Sequence, residues 1–281
     1  MKWGTAKTIL IYIFVIVNIF LFTIYKLNTS RERTSSFENV ATVLKNYGIS
    51  ADKDAFTSLP EKTDRLEAVN RVANQDFAKN FFEKTPVKDN RDNYHTKNEK
   101  LIINGISFEY SNSAPNLSEF SGITKRNAAS KTIKYLKKRG GIESRMKADG
   151  ITSGKDGSFT VDIIYNYKGI PVFSGNIKVR ANNKGVLSVK GKILEFNGIK
   201  NRYYNTVSGQ AAFIDYLSYY GKYIEKEKKI KNFRYGYYIS PEPESVSSYA
   251  IPAYEAEFTD GSLVYIDGRV DIESEFRLLG P

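Results

Sequence analysis

The sequence predicts an α+β protein in which a single N-terminal transmembrane helix is followed by modules that each set one helix before an antiparallel sheet. Three observations point there. An uncharged apolar run lies close to the N-terminus, two later stretches each read as a helix and then alternating strands, and glycine-bearing turns separate those strands.

The apolar run extends from Thr8 to Tyr25 between Lys7 and Lys26. As a helix rising 1.5 Å per residue it would span about 27 Å, the thickness of a hydrocarbon core. Trp3 and Tyr25 stand where ring systems with a polar tip favour the bilayer surface, and Lys7 and Lys26 can snorkel outward. A cleaved leader would have a shorter apolar stretch ending in small residues, whereas this one leads into Lys26-Leu27-Asn28-Thr29-Ser30-Arg31. An uncleaved anchor over residues 8–26, behind a tail of residues 1–7, is therefore expected. Lys2 and Lys7 are balanced by Lys26, Arg31 and Arg33, so charge does not choose the side on which the body lies. Asn18 puts an amide at mid-membrane depth, where it either meets a partner helix or bonds its own backbone. Phe14, Val15, Phe22 and Tyr25 share its helical face, and these five residues form the candidate partner contact in the membrane.

Residues 27–118 are expected to hold a juxtamembrane helix and a first region of the body. Ser35-Ser36-Phe37-Glu38 offers a capping box, and Val40, Val43, Leu44 and Tyr47 recur at helical spacing before Gly48. A strand around Leu66–Val72 and a helix around Gln75–Glu83 follow, and the polar stretch Lys84–Lys100 reads as a loop. Residues 119–200 form the first helix-plus-meander module. Its helix, Thr124–Arg139, carries Ala128, Ala129, Thr132, Ile133 and Leu136 on one side and closes at Gly140-Gly141. Strands then run through Phe159–Tyr167, Phe173–Arg180 and Val186–Phe196, with a turn at Lys168-Gly169-Ile170-Pro171. Residues 201–281 repeat the pattern: Ser208 caps a helix ended by Gly221, and strands follow at Ile230–Ile239, Tyr249–Phe258 and Leu263–Asp267, the last hairpin turning at Asp260-Gly261.

The chain has no Cys, which removes thiolate nucleophiles, disulfides and cysteine-ligated metals. Gly185-Val-Leu-Ser-Val-Lys190-Gly191-Lys192 lacks the Ser/Thr and the strand-to-helix setting of a phosphate loop. The single His95 has no second His beside it, and Glu242 and Glu244 alternate with Pro241 and Pro243 in a turn rather than a cleft. No enzyme, cofactor or metal site is expected. The net charge of +11 and the basic helices expected at Thr124–Arg139 and Lys222–Lys231 suit a solvated face, lipid headgroups or anionic wall polymers, and without a base-reading motif they do not indicate nucleic acid.

Several segments together resemble the YycI (WalI) regulatory proteins of low-GC Gram-positive bacteria. They are the basic tail with Trp3, the apolar run, Asn46-Tyr47-Gly48-Ile49-Ser50, Tyr167-Lys168-Gly169-Ile170-Pro171-Val172-Phe173, Ile251-Pro252-Ala253-Tyr254-Glu255-Ala256, Asp260-Gly261 and Tyr265-Ile266-Asp267. Tyr254 stands where the family pattern has Trp, and Lys84–Lys100 has no counterpart in it. The resemblance implies PepSY-like or YycH-like sheet modules, an N-terminus in the cytoplasm and an extracytoplasmic body on a single-pass anchor in the cell membrane. It further implies partnership with a YycH-like protein and modulation of a WalK-type (YycG-like) sensor histidine kinase that governs cell-wall homeostasis, with the membrane helix making much of the contact. A possible homodimer and contact with membrane lipid belong to the same expectation. The alternative is a membrane-tethered binding module for a peptide or an anionic cell-wall polymer.

Overall fold

Alternation of inward apolar and outward polar side chains builds most of this protein from strands, and the long strands share partners with one another until they form one sheet. The computed structural model describes residues 13–15, 17–20, 22, 40–52, 55–56, 62–70, 72, 75–82, 84–89, 93–105, 107–141, 145–224, 227–239 and 247–280.

The body opens with helical residues 40–46, termed α1, and the short strand β1 (Ile49–Ala51). Strand β2 (Lys62–Asn70) and helix α2 (Gln75–Phe81) lead to four strands, β3 (Val87–Lys88), β4 (Tyr94–His95), β5 (Glu99–Asn104) and β6 (Ser107–Asn112). Helix α3 (Ala128–Gly140) precedes β7 (Met146–Ser153), β8 (Phe159–Tyr167), β9 (Ile170–Asn182), β10 (Gly185–Gly191) and β11 (Leu194–Asn205). Helix α4 (Gly209–Tyr220) precedes β12 (Lys228–Ile239), β13 (Ser247–Phe258) and β14 (Leu263–Asp267). Helix α4 starts where the Ser208 hydroxyl accepts from the Ala211 amide at 3.2 Å, the cap that its sequence announces.

Fourteen strands hydrogen-bond into one mixed sheet whose main path is β11-β2-β13-β12-β9-β10-β6-β5-β4-β3. This overturns the expected single transmembrane helix followed by separate helix-plus-antiparallel-sheet modules. Among the described residues no helix is long and apolar enough to cross a membrane, and positions 8–12, 16, 21 and 23–26 of the expected span lie outside them. The physical reason for the single sheet is strand length. Strand β13 has twelve residues and gives one edge to β12, while its other edge serves β2 at Ser247–Ala250 and β14 at Ala253–Glu257. Strand β12 in turn accepts β1 in parallel along Lys228–Ile230 and meets β9 in parallel at Tyr237 and Val172. Two parallel junctions thus tie together stretches that periodicity alone reads as independent meanders.

Local differences follow the same logic. The stretch Lys84–Lys100 expected as a loop contains β3, β4 and the start of β5, and the strand expected at Val186–Phe196 is two strands parted at Lys192-Ile193. Lys222–Lys231, expected as a basic helix, is a short 3-10 turn at Gly221–Tyr223 and then the beginning of β12. The hairpin at Lys168-Gly169 is as expected: φ is 50° at Lys168 and 93° at Gly169, the left-handed pair that a two-residue turn demands, and the Gly169 amide donates to Asn166 Oδ1 at 2.7 Å.

Helices α2 and α3 cover one part of the sheet, with Phe81, Phe108, Tyr110, Phe120 and Tyr135 packed edge to face, and Arg139 Nη1 donates to the Phe82 carbonyl at 2.8 Å. Helices α1 and α4 cover the other part through Val40, Leu44, Phe213 and Leu217 against Phe233, Tyr254 and Phe258. A third, smaller cluster of Phe173, Tyr238, Ala253 and Tyr265 is built from the alternate residues of the same strands and so lies on the opposite face of the sheet.

Candidate functional site

Three strands of the run β7-β8-β9-β12 depart from regular pairing around one place. In β7, Asp149 is the extra residue between the pairs Ala148–Ile163 and Gly150–Asp162. In β9, residues 173–176 stand opposite Ile164 alone, between the pairs Ile163–Ile177 and Tyr165–Val172. In β12, Lys231 is the extra residue between Ile230–Phe258 and Asn232–Glu257. A bulge turns a side chain away from its regular face, and these three aim Asp149, Phe173 and Lys231 into one groove of about 350 Å³. Arg234 and Asn232 of β12, Glu255 and Glu257 of β13, and Leu263 and Tyr265 of β14 complete its walls.

Close backbone approach sets the groove's floor. A Cβ on Gly236 would stand 2.6 Å from the Pro171 carbonyl oxygen and 2.5 Å from Phe173 Cζ, so only glycine lets β12 lie against β9 here. Phe173 then packs against Tyr265 with ring centroids 5.7 Å apart, and Tyr265 against Tyr238 at 5.2 Å.

The electrostatics are those of a closed network. Arg234 donates Nη1 and Nη2 to the two carboxylate oxygens of Asp149, both at 2.6 Å, and Nε to Glu255 Oε1 at 2.5 Å. The Arg234 guanidinium also lies 5.5 Å from the Phe173 ring centroid. Lys231 pairs with Glu257. The two hydrogen bonds from Arg234 hold the Asp149 carboxyl below its ordinary 3.8 despite partial burial, and the bonds to Asp149 and Glu255 push Arg234 upward. Burial, reinforced by the Glu255 carboxylate, pushes the Tyr265 hydroxyl upward. Glu255 is 4% exposed, so its charge is carried almost wholly by these partners.

The arrangement braces β7, β12 and β13 against one another through paired charges. Among the described residues no group of His, Asp and Glu is placed to hold a metal ion.

This electrostatic network has a stability consequence with a definite sign. A carboxyl whose folded value lies below its unfolded value contributes stability that is present above the unfolded value and lost as pH falls through the folded one. Asp149 acts in this direction, as do Asp156 and Asp260, each held at about 2 chiefly by hydrogen bonds from Ser158 and Ser262. The melting temperature of the protein is therefore expected to hold near neutral pH and to drop between about pH 4 and 2. Arg234→Met is expected to make that drop shallower, because Asp149 then loses the hydrogen bonds that hold its carboxyl low. Equal slopes in the two proteins, read by thermal unfolding across pH, would remove Arg234 from this linkage.

The candidate residues of the N-terminal run are placed only in part. Phe14, Val15, Asn18 and Phe22 are helical and exposed, and Tyr25 lies outside the described residues. Asn18 Nδ2 donates to the Phe14 carbonyl one turn earlier at 2.8 Å, the own-backbone arrangement that the sequence left open. These residues do not join the groove. Its charged members, Asp149, Lys231, Arg234, Glu255 and Glu257, were not singled out by sequence pattern. The available signals were mid-strand glycines at 150, 175 and 236 and charges inside otherwise apolar strands.

No protein-family model matches the chain, and no curated protein matches it. Solved structures similar to it include the following two. One is an uncharacterized protein from Eubacterium rectale ATCC 33656, at 10% identity and a TM-score of 0.49 over 83% of this chain and 91% of that one. The other is YycH from Bacillus subtilis, at 13% identity and a TM-score of 0.49 over 75% of this chain and 52% of that one. This chain thus spans about half the length of that YycH chain. Likenesses this distant say nothing of activity.

Proposed function

We propose that the protein is a non-catalytic regulator that works by protein contact at the outer face of a Gram-positive cell membrane. It would modulate a WalK-type sensor histidine kinase together with a YycH-like partner in the control of cell-wall homeostasis. The observation that carries this reading is a convergence. Three separate segments that resemble the YycI proteins, Tyr167–Phe173, Ile251–Ala256 and Tyr265–Asp267, supply Phe173, Glu255 and Tyr265 to one groove. Residues this far apart in sequence have a reason to keep a common pattern when they build one surface. The exposed apolar side chains of the helical residues between 13 and 22, Phe14 and Phe20 among them, support placing the chain at a membrane.

The alternative of an anionic wall polymer is disfavoured by the groove itself, whose lining residues include three carboxylates, Asp149, Glu255 and Glu257, against two cations, Lys231 and Arg234.

The test uses Leu263, which lines the groove and is 45% exposed, so that Leu263→Glu alters the contact surface without opening the core. Full-length tagged protein is purified from membranes, and the kinase and the YycH-like protein that accompany it are quantified. Leu263→Glu is expected to cut their recovery about tenfold, a loss of about 1.4 kcal/mol, at an unchanged melting temperature. Recovery equal to that of the unaltered protein would remove the groove from the contact. Absence of both partners from the unaltered sample would refute the regulatory reading.

A further inference from the structure

Helix α4 ends in a run of ring-bearing residues that the core uses only in part. Phe213, Tyr216 and Leu217 face inward, while Tyr219 and Tyr223 are exposed at 43% and 70%. Lys222 stretches across both of them, its ammonium 5.8 Å from the Tyr219 ring centroid and 4.9 Å from that of Tyr223. The chain's last turn adds a fourth member. The Tyr220 hydroxyl donates to the Glu275 carbonyl at 2.5 Å, and the next residue, Phe276, is 64% exposed. Arg277 anchors that turn by donating Nη2 to Asp215 of α4 at 3.0 Å. Tyr219, Lys222, Tyr223 and Phe276 therefore form a fixed patch of three rings, two of them tipped by hydroxyls, with one ammonium.

The position of the patch indicates what covers it. The Tyr47 ring, directly after α1, lies on Gly221, where an added Cβ would come within 2.4 Å of two of its ring carbons. Residues 40–46 of α1 extend only about 10 Å from there. The patch thus sits close to α1, the first described element that follows the N-terminal apolar run in sequence, which puts it toward the membrane in the proposed localisation. Rings that bury an apolar body and keep a polar tip wet, with a lysine able to reach a phosphate, have the composition favoured at a bilayer surface. Lys222 within the patch is offset by Glu275, the residue before Phe276, so ring insertion and not net charge supplies the attraction.

We propose that this patch rests in the headgroup layer of a phospholipid bilayer and fixes the tilt of the body against the membrane. The inference rests on the membrane-face localisation proposed above.

The experiment uses the full-length chain in a Trp3→Phe background, which removes the sole tryptophan of the sequence. Tyr223→Trp and Phe276→Trp report from the patch. Val87→Trp reports from an exposed position on β3, six strands from β12 along the sheet and so roughly 29 Å away. Each variant is reconstituted into phosphatidylcholine vesicles containing lipid brominated high on the acyl chain, with and without phosphatidylglycerol, at low and high salt. The expected result is several-fold quenching at positions 223 and 276 and none at 87, unaffected by phosphatidylglycerol or salt. Quenching that appears only with phosphatidylglycerol at low salt would overturn ring insertion. Chain that floats with the vesicles but is unquenched at 223 and 276 would overturn the patch while leaving the localisation standing. A chain that does not float with vesicles would overturn the localisation and the patch with it.

Discussion

Replacing Arg277 by Met is expected to cost about 2–4 kcal/mol of stability, which lowers the melting temperature by roughly 5–15 °C. The side chain is 2% exposed, and it donates Nη1 to the carbonyls of Asp267 and Arg269 at 3.1 and 2.5 Å and Nη2 to Asp215. Met fills similar space but offers no donor, so the buried carbonyl of Asp267 and the part-buried one of Arg269 lose their partner and Asp215 loses its counter-charge. Asp215 is 44% exposed on its side chain and can recover water, which holds the loss below that of a fully buried ion pair. Arg277→Lys is expected to recover less than half of the loss, because one ammonium cannot span three acceptors set around a planar fork. Chemical unfolding checks this, and a loss under about 1 kcal/mol for Arg277→Met would show that the network is dispensable.

The second large effect is expected from the smallest change. Gly236→Ala puts a methyl 2.6 Å from the Pro171 carbonyl oxygen and 2.5 Å from Phe173 Cζ, beside the pair Tyr237–Val172 through which β12 and β9 meet. Since one of the obstructing atoms is backbone, relief requires the strands to separate, at a cost of about 2–3 kcal/mol. Adding Phe173→Leu removes the ring and leaves the carbonyl, so the double variant should remain well below the Phe173→Leu single variant in melting temperature. Equal stability of those two would mean that the ring alone obstructs and that the strand junction is compliant.

What the sequence makes legible is local. Helix α4 is marked by Ser208 and by the spacing of Ala212, Phe213, Tyr216 and Leu217, all buried on one side in the structure. Helix α3, expected over Thr124–Arg139, occupies Ala128–Gly140, its start delayed because Asn127 Oδ1 accepts from the Thr124 amide in a preceding turn. The hairpin β5–β6 escapes notice because its inward positions include polar groups. Glu99 is 6% exposed and accepts from the Tyr110 hydroxyl at 2.8 Å, so a residue that breaks the alternation on paper is a satisfied core member in space. The groove is hidden for a related reason. Asp149, Lys231 and Arg234 look like ordinary outward charges of two strands, and only the register slips that bring them together give them a common purpose. Pairing of strands distant in sequence leaves no periodic trace, which is why periodicity alone yields two meanders where the molecule has one sheet.

The parallel pairing of β1 with β12 also constrains the order in which the molecule is made. Ile49, Ser50 and Ala51 bond to Lys228, Lys229 and Ile230, and β2 waits likewise for β11 and for Ser247–Ala250 of β13. A growing polypeptide therefore presents its early strands long before their partners exist, and loop closure over such spans is slow. Their unpaired edges and apolar faces stay open to strangers during that interval, so aggregation competes with folding until synthesis is almost finished.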